Sequence, residues 1–212
     1  MMHKLKALGL ALILVGALGA VAAGPALAEY HIASVSGGFI TGSPVSTNQF
    51  VTDVGTASCS SVTFSGTQAV ETASTLTVHP SYSGCSLAGL KITVSTTGCS
   101  LRFEKPETEP APVHAALKVL CSAGSSIAIH DSAGVGCSIS IGEQGPLSKV
   151  SFANNAGPSP PAGTVTFTAA LTGITYTYSG GCPSAGGVGA THSNGAYSGQ
   201  LLAVATAAFT VT

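Results

Sequence analysis

From Cys59 onward, apolar and polar side chains alternate with a period of two. Val62 and Phe64 share one face, with Ser61 and Thr63 on the other. Leu76 and Val78 repeat the arrangement between Thr75 and Thr77. This alternation marks strands with one buried and one solvated face. Thr and Val suit such strands because a branched Cβ packs well on a pleated surface. The same phase returns at Leu90, Ile92 and Val94, at Cys99, Leu101 and Phe103, and at Ala115, Leu117, Val119 and Cys121. It continues at Ile127 and Ile129, at Ile139 and Ile141, and at Val150 and Phe152. Residues 164–171 and 174–178 form two longer runs divided by Thr172-Gly173, and a last strand spans 197–211 with a break near 203–208. His79-Pro80 is expected to end its strand, since Pro cannot donate to a ladder. Residues 29–54 read as an arm with two weak edge strands. No helical period persists over three turns after residue 28. Roughly ten or more short strands at this spacing suit a sandwich or barrel. The expected fold is all-β, an antiparallel β-sandwich stapled by disulfides and built from two similar halves.

Two segments dominate the pattern. Residues 85–103 read CSLAGLKITVSTTGCSLRF and residues 121–141 read CSAGSSIAIHDSAGVGCSISI. Each opens with Cys-Ser, passes through an alternating run and a turn, and closes on Gly-Cys-Ser. The layout predicts twin hairpins with a cysteine at the base of each arm. The pairs would then be Cys85–Cys99 and Cys121–Cys137, leaving Cys59–Cys182 to tie the ends of the domain. A second scheme joins Cys59 to Cys85 or Cys99 across neighbouring strands. Six cysteines allow fifteen connectivities. No two form a C-x-x-C pair, so zinc is not expected.

The start of the chain changes the setting. Lys4 and Lys6, an Ala/Leu/Gly-rich run over 7–23 and Ala26-Leu27-Ala28 make a secretory signal peptide, cut after Ala28. The expected product is one secreted β-domain, residues 29–212, with six cysteines oxidised outside the cell. No later stretch is long and apolar enough to span a membrane. Removing 28 of 212 residues leaves 184; without Lys4 and Lys6, five basic side chains remain against eight acidic ones, a net charge near −3. That balance speaks against a nucleic-acid partner, which needs a basic patch.

Chemistry is sparse. A Gly-x-Ser-x-Gly turn is absent. His130 and Asp131 are neighbours on a strand, so they point to opposite faces and cannot orient one another. His31, His79, His114, His130 and His192 show no ligand spacing. Asp53, Glu71, Asp131 and Glu143 stand singly. Glu104, Glu107 and Glu109 belong to a Pro-rich loop over 104–113, where prolines splay the carboxylates away from any shared cation. A Gly/Ser-rich loop spans 180–195. Tyr176 and Tyr178 share one strand face; they either form a sugar-stacking ligand face or cover the core. Thr164, Thr166 and Thr168, with Thr175 and Thr177, make hydroxyl rows. No catalytic residue, metal or cofactor is expected.

The stretches CSSVTFSG (59–66), YSGCSLAGLKITVSTTGCSLRF (82–103), QGPLSKVSFANN (144–155) and LTGITYTYSGGCPSAGG (171–187) resemble an uncharacterised family of secreted, six-cysteine, Ser/Thr/Gly-rich β-proteins from Gram-positive soil bacteria. A looser similarity is to secreted alkane-oxidation activators. The resemblance implies an exported β-fold and carries over no functional residue. The expected role is a non-enzymatic structural or adhesive protein of the cell surface or matrix, partnered by cell envelope, polysaccharide or itself. The alternative is an extracellular carbohydrate- or lipid-binding module.

Overall fold

The computed structural model describes residues 32–33, 38–68, 70–104, 113–132, 136–156, 163–182, 189–206 and 209–211. The expected signal peptide and most of the Pro-rich loop lie outside them. The strands are β1 (Ile32–Ala33), β2 (Phe39–Pro44), β3 (Asn48–Thr52), β4 (Gly55–Thr67), β5 (Thr72–Ala73), β6 (Thr75–Leu87), β7 (Leu90–Ser95), β8 (Cys99–Glu104), β9 (Val113–Cys121), β10 (Ile127–Asp131), β11 (Ser138–Ile141), β12 (Gln144–Asn155), β13 (Thr164–Ser179), β14 (Thr191–Ala205) and β15 (Thr210–Val211). All pairings among them are antiparallel, and no helix occurs among the described residues. The all-β, antiparallel, disulfide-stapled expectation holds.

The registers show how these strands join. β7 pairs with the end of β6 (Cys85↔Ile92, Leu87↔Leu90) and β8 with its start (Thr75↔Glu104, Val78↔Leu101). They run in one direction and make one long stave, interrupted at 96–98. In the same way β2 continues into β3, β9 into β10, and β11 into β12. With β4, β6, β13 and β14 this gives eight staves whose order in space is their order in sequence. β14 then pairs back onto β2 and β3 (Ala203↔Gly42, Tyr197↔Phe50). The sheet is therefore closed, and its opposite walls supply the two layers of the sandwich. Inward positions are mostly apolar and the outward ones largely Ser and Thr, as in β4, where Ala57, Cys59, Val62 and Phe64 are buried and Ser60, Thr63 and Thr67 exposed. That is the inverse of a lipid-facing barrel, whose outer band is apolar.

Both ends are plugged. At one end Phe64, Phe103, Phe152 and Phe167 pack ring against ring. The fully buried Phe209 closes that layer from below, 6.2 Å from Phe167. A small sheet of β5, β1 and β15 covers this end. The Asn154 side chain holds the last strand by donating to the Val211 carbonyl (2.7 Å) and accepting from its N–H (2.9 Å).

Closure overturns several local readings. Residues 39–52 are no edge arm: β2 and β3 lie between β4 and β14, with Ile40 and Phe50 buried. β6 does not stop at His79-Pro80 but runs on to Leu87. In a strand the N and C=O of one residue point to the same side, and the Pro80 carbonyl accepts from Thr96 Oγ1 (2.7 Å) at the interruption of the next stave. The missing donor of Pro80 thus falls where no ladder bond is due. The twin Cys-hairpins are not equivalent. β10 and β11 do form a hairpin (Ile127↔Ile141), whereas β7 and β8 lie in line and do not pair. The repeat is one of sequence and not of placement.

The disulfides follow the staves. They join Cys59–Cys85, Cys99–Cys121 and Cys137–Cys182, not Cys85–Cys99, Cys121–Cys137 and Cys59–Cys182. Cys59 faces Cys85 and Cys99 faces Cys121 directly across paired strands, with Cα atoms 4.0 and 4.1 Å apart. Cys137 precedes β11 and Cys182 follows β13, its pairing partner. The Cys59–Cys85 member of the second scheme is the one that forms. Loop-closure entropy makes each bridge worth about 3–4 kcal/mol. Peptide mapping without reduction should return these three pairs, and a Cys99–Cys85 peptide would contradict the stave order. The double variant Cys99→Ser with Cys121→Ser should lose about 3 kcal/mol in chemical denaturation.

Candidate functional site

The interior is layered, and three layers beyond the Phe plug carry what chemistry the described residues hold. At the opposite end, alternation along β13 sends Tyr176 and Tyr178 inward, where both are 1% exposed. They therefore form no ligand face; they cover the core. Tyr176 OH accepts from the Asp53 N–H (3.1 Å) and donates to Asn194 Oδ1 (2.8 Å); Tyr178 OH accepts from the Val54 N–H (3.3 Å). His192 stacks on Tyr176 (ring centroids 5.3 Å) and meets Tyr178 edge-on (5.0 Å). Its Nδ1 lies 2.6 Å from Asp53 Oδ2, and Asn194 Nδ2 donates to Asp53 Oδ1.

The Asn194 amide, followed by His192, holds the Asp53 carboxyl below its ordinary range. Burial raises the Tyr176 phenol, so it stays protonated. The pair Asp53–His192 has the geometry of a base and its orienter. Yet His192 Nε2 is buried with no hydrogen-bond partner, so no Ser, Thr or Cys among the described residues is set for activation. The cluster instead laces β14 to the turn between β3 and β4. Sequence spacing could not find it, because Asp53 and His192 lie at opposite ends of the chain and meet only on closure.

At mid-height a polar collar crosses the interior. Asn48 is 2% exposed; its Oδ1 accepts from Tyr197 OH (2.7 Å) and its Nδ2 donates to the Ser46 carbonyl (3.0 Å). Tyr82 lines the interior at the same level as Tyr197. Desolvation raises both phenols, so both stay neutral. Gly199 makes room for the collar: a Cβ there would lie 2.0 Å from Asn48 Oδ1. The alternation itself held a signal, since Asn48 sits in phase with buried Phe50.

Between collar and tyrosine plug lies a cavity of about 90 Å³, walled by aliphatic side chains such as Ile127, Ile129, Ile141 and Leu171. A smaller one of about 40 Å³ lies on the Phe side of the collar.

The remaining candidates stay apart. His79 and His130 are exposed on strands, and Asp131 Oδ2 accepts from the Cys137 N–H (2.7 Å), a turn contact. Glu104 bridges Lys118 (2.7 Å) and Arg102 on the outer face. No group of three or more metal-ligating side chains forms among the described residues. The Thr row is not flat and free. Thr164 is 4% exposed, Thr166 bonds Asn155 (3.1 Å), and Thr168 accepts from Gln200 (3.1 Å). Residues 191–195 of the expected third loop begin β14. Compared with known proteins, the chain matches no family model, no curated protein and no solved structure.

Two measurements check this reading of the polar end. Tyr176→Phe should cost about 1–3 kcal/mol, because it leaves the Asp53 N–H and the Asn194 oxygen without their buried partner. The depressed Asp53 group adds stability above the ordinary carboxylate pKa of about 3.9, and that stability is lost as pH falls through its lower folded value. Wild-type melting temperature should therefore drop as pH is lowered from about 4, and Asp53→Asn should flatten part of that drop.

Proposed function

We propose that the chain acts outside the cell as a non-enzymatic structural or adhesive protein of the surface or matrix. The observation that carries this is the placing of the staples. Each disulfide ties a different pair of neighbouring staves, so three of the eight joints of the closed sheet are held covalently. A rigid scaffold of this kind presents loops and an outer hydroxyl-bearing face to partners. The basic, apolar and small-residue start and the oxidised cysteines support export. The one base-and-orienter pair meets no nucleophile among the described residues, which supports a non-enzymatic role. A carbohydrate platform on Tyr176 and Tyr178 loses its surface, since both rings are inside.

The secreted form should co-sediment with cell-envelope fragments or an insoluble polysaccharide, or self-associate in sedimentation velocity, at micromolar concentration. A protein that stays monomeric and binds none of these would remove the proposal.

A further inference from the structure

Charge is unevenly spread around the barrel. β2, β3, β4, β13 and β14 contain no Asp, Glu, Lys or Arg. Together they make four consecutive staves, half of the closed sheet, with the closing joint at their centre. The opposite wall carries Lys91 on β7, Arg102 and Glu104 on β8, Lys118 on β9 and Asp131 on β10. His192 on β14 is turned onto Tyr176 and Asp53 at the polar end. The flanks of the uncharged half, β4 and β13, present hydroxyls, among them the exposed Thr63, Thr67, Thr168 and Thr172.

The centre of this half differs from its flanks. Phe39 on β2, Val45 between β2 and β3, Val51 on β3 and Val204 on β14 are each 42–55% exposed. They are four of the six large apolar side chains that the described residues leave exposed. Val204 pairs with Thr41, two residues from Phe39, and half-buried Leu202 precedes Val204 on the same face. Diagonal neighbours of this kind are within reach of an aromatic ring. An apolar centre inside an uncharged polar rim is the anatomy of a protein–protein interface, whose core is depleted of charge. Four staves about 4.8 Å apart, as long as the 15 residues of β14, make a strip of about 19 by 50 Å, on the order of 900 Å². A standard interface uses about 800 Å² per partner. The wall is convex, so its hydroxyl flanks curve away and a weaker, smaller contact forms. A second copy fits this face. Without residues 1–28 the chain carries a net charge near −3, and a two-fold contact here sets the charged walls on the far sides of both copies. An uncharged patch meets itself without like-charge repulsion. Phe39 is the only aromatic among these exposed side chains, so a glycan finds no row of rings to stack on.

We propose that two copies of this chain pair through the outer face of the closing seam, related by a two-fold axis, with Phe39, Leu202 and Val204 at the centre of the contact. The proposal rests on the structural or adhesive reading above and names its partner and its face. Sedimentation velocity of the oxidised protein should show a monomer–dimer equilibrium with a dissociation constant on the order of 10 µM. Between about 0.05 and 0.5 M salt that constant should change less than about twofold, because no charge pair crosses the contact. Val204→Lys and Phe39→Lys, each at an exposed position, should raise it by roughly 10- to 100-fold. Leu90→Lys, exposed on the opposite wall, should leave it unchanged. Circular dichroism checks that each variant folds. In the wild-type protein, amide shifts on dilution should gather on β2 and β14 and spare β8 and β9, a readout that needs no variant. A wild-type chain still monomeric at about 500 µM would overturn the proposal. So would a dimer that the folded lysine variants leave intact, one that salt dissociates, or dilution shifts on β8 and β9. A monomer that still sediments with envelope or polysaccharide overturns the pairing alone; one that binds nothing removes the structural or adhesive reading with it.

Discussion

The pairing of the last long strand with the first is the constraint on which the rest depends. β14 must find β2 and β3 after the whole meander has been laid down. Without it, two long edges stay open and unpaired N–H and C=O groups face solvent. None of the three disulfides spans this joint. Side chains reinforce it instead. The Gln200 N–H donates to Ser46 Oγ (3.0 Å) and the Gln200 carbonyl accepts from the Val45 N–H (2.9 Å). Tyr197 reaches Asn48, and His192 and Asn194 reach Asp53. The groups that most look like catalytic machinery are thus the lacing of the closing seam, one of the five joints without a disulfide.

Closure also explains the layering. A meander that returns to its start encloses whatever its inward positions carry. The Phe plug and the Tyr–His plug fill the ends with large flat rings. The middle receives aliphatic side chains from β7, β10 and β11, and these leave a hollow. The collar of Asn48, Tyr197 and Tyr82 is a polar layer between aliphatic walls, and neutral phenols keep its dehydration cost low.

Much of the fold was legible in the alternation. Val62 with Phe64, Leu117 with Val119 and Ile127 with Ile129 were in phase and are all buried. What the sequence hid was range. Cys85 and Cys99 look like the two feet of one hairpin, yet Cys85 lies on β6 opposite Ile92 while Cys99 opens β8 farther along the neighbouring stave. Their true partners are set by long registers centred on the loops before and after them. A local pattern cannot reveal a register that depends on where a turn falls some ten residues away. The site was hidden for the same reason. Asp53 stood alone until closure brought β14 beside it, and Tyr176 and Tyr178 gave no sign of which face was inside. Asn48 was the exception, a polar residue in an apolar phase.

The closing joint can be observed directly. Backbone nuclear Overhauser contacts between Ala203 and Gly42 and between Tyr197 and Phe50 should be present in the oxidised protein. The β14 amides bonded across this joint should resist hydrogen exchange as strongly as those between β4 and β6, which a disulfide ties. Missing contacts at the β14–β2 joint, with fast exchange there while the β4–β6 amides stay protected, would show an open sheet and contradict the account.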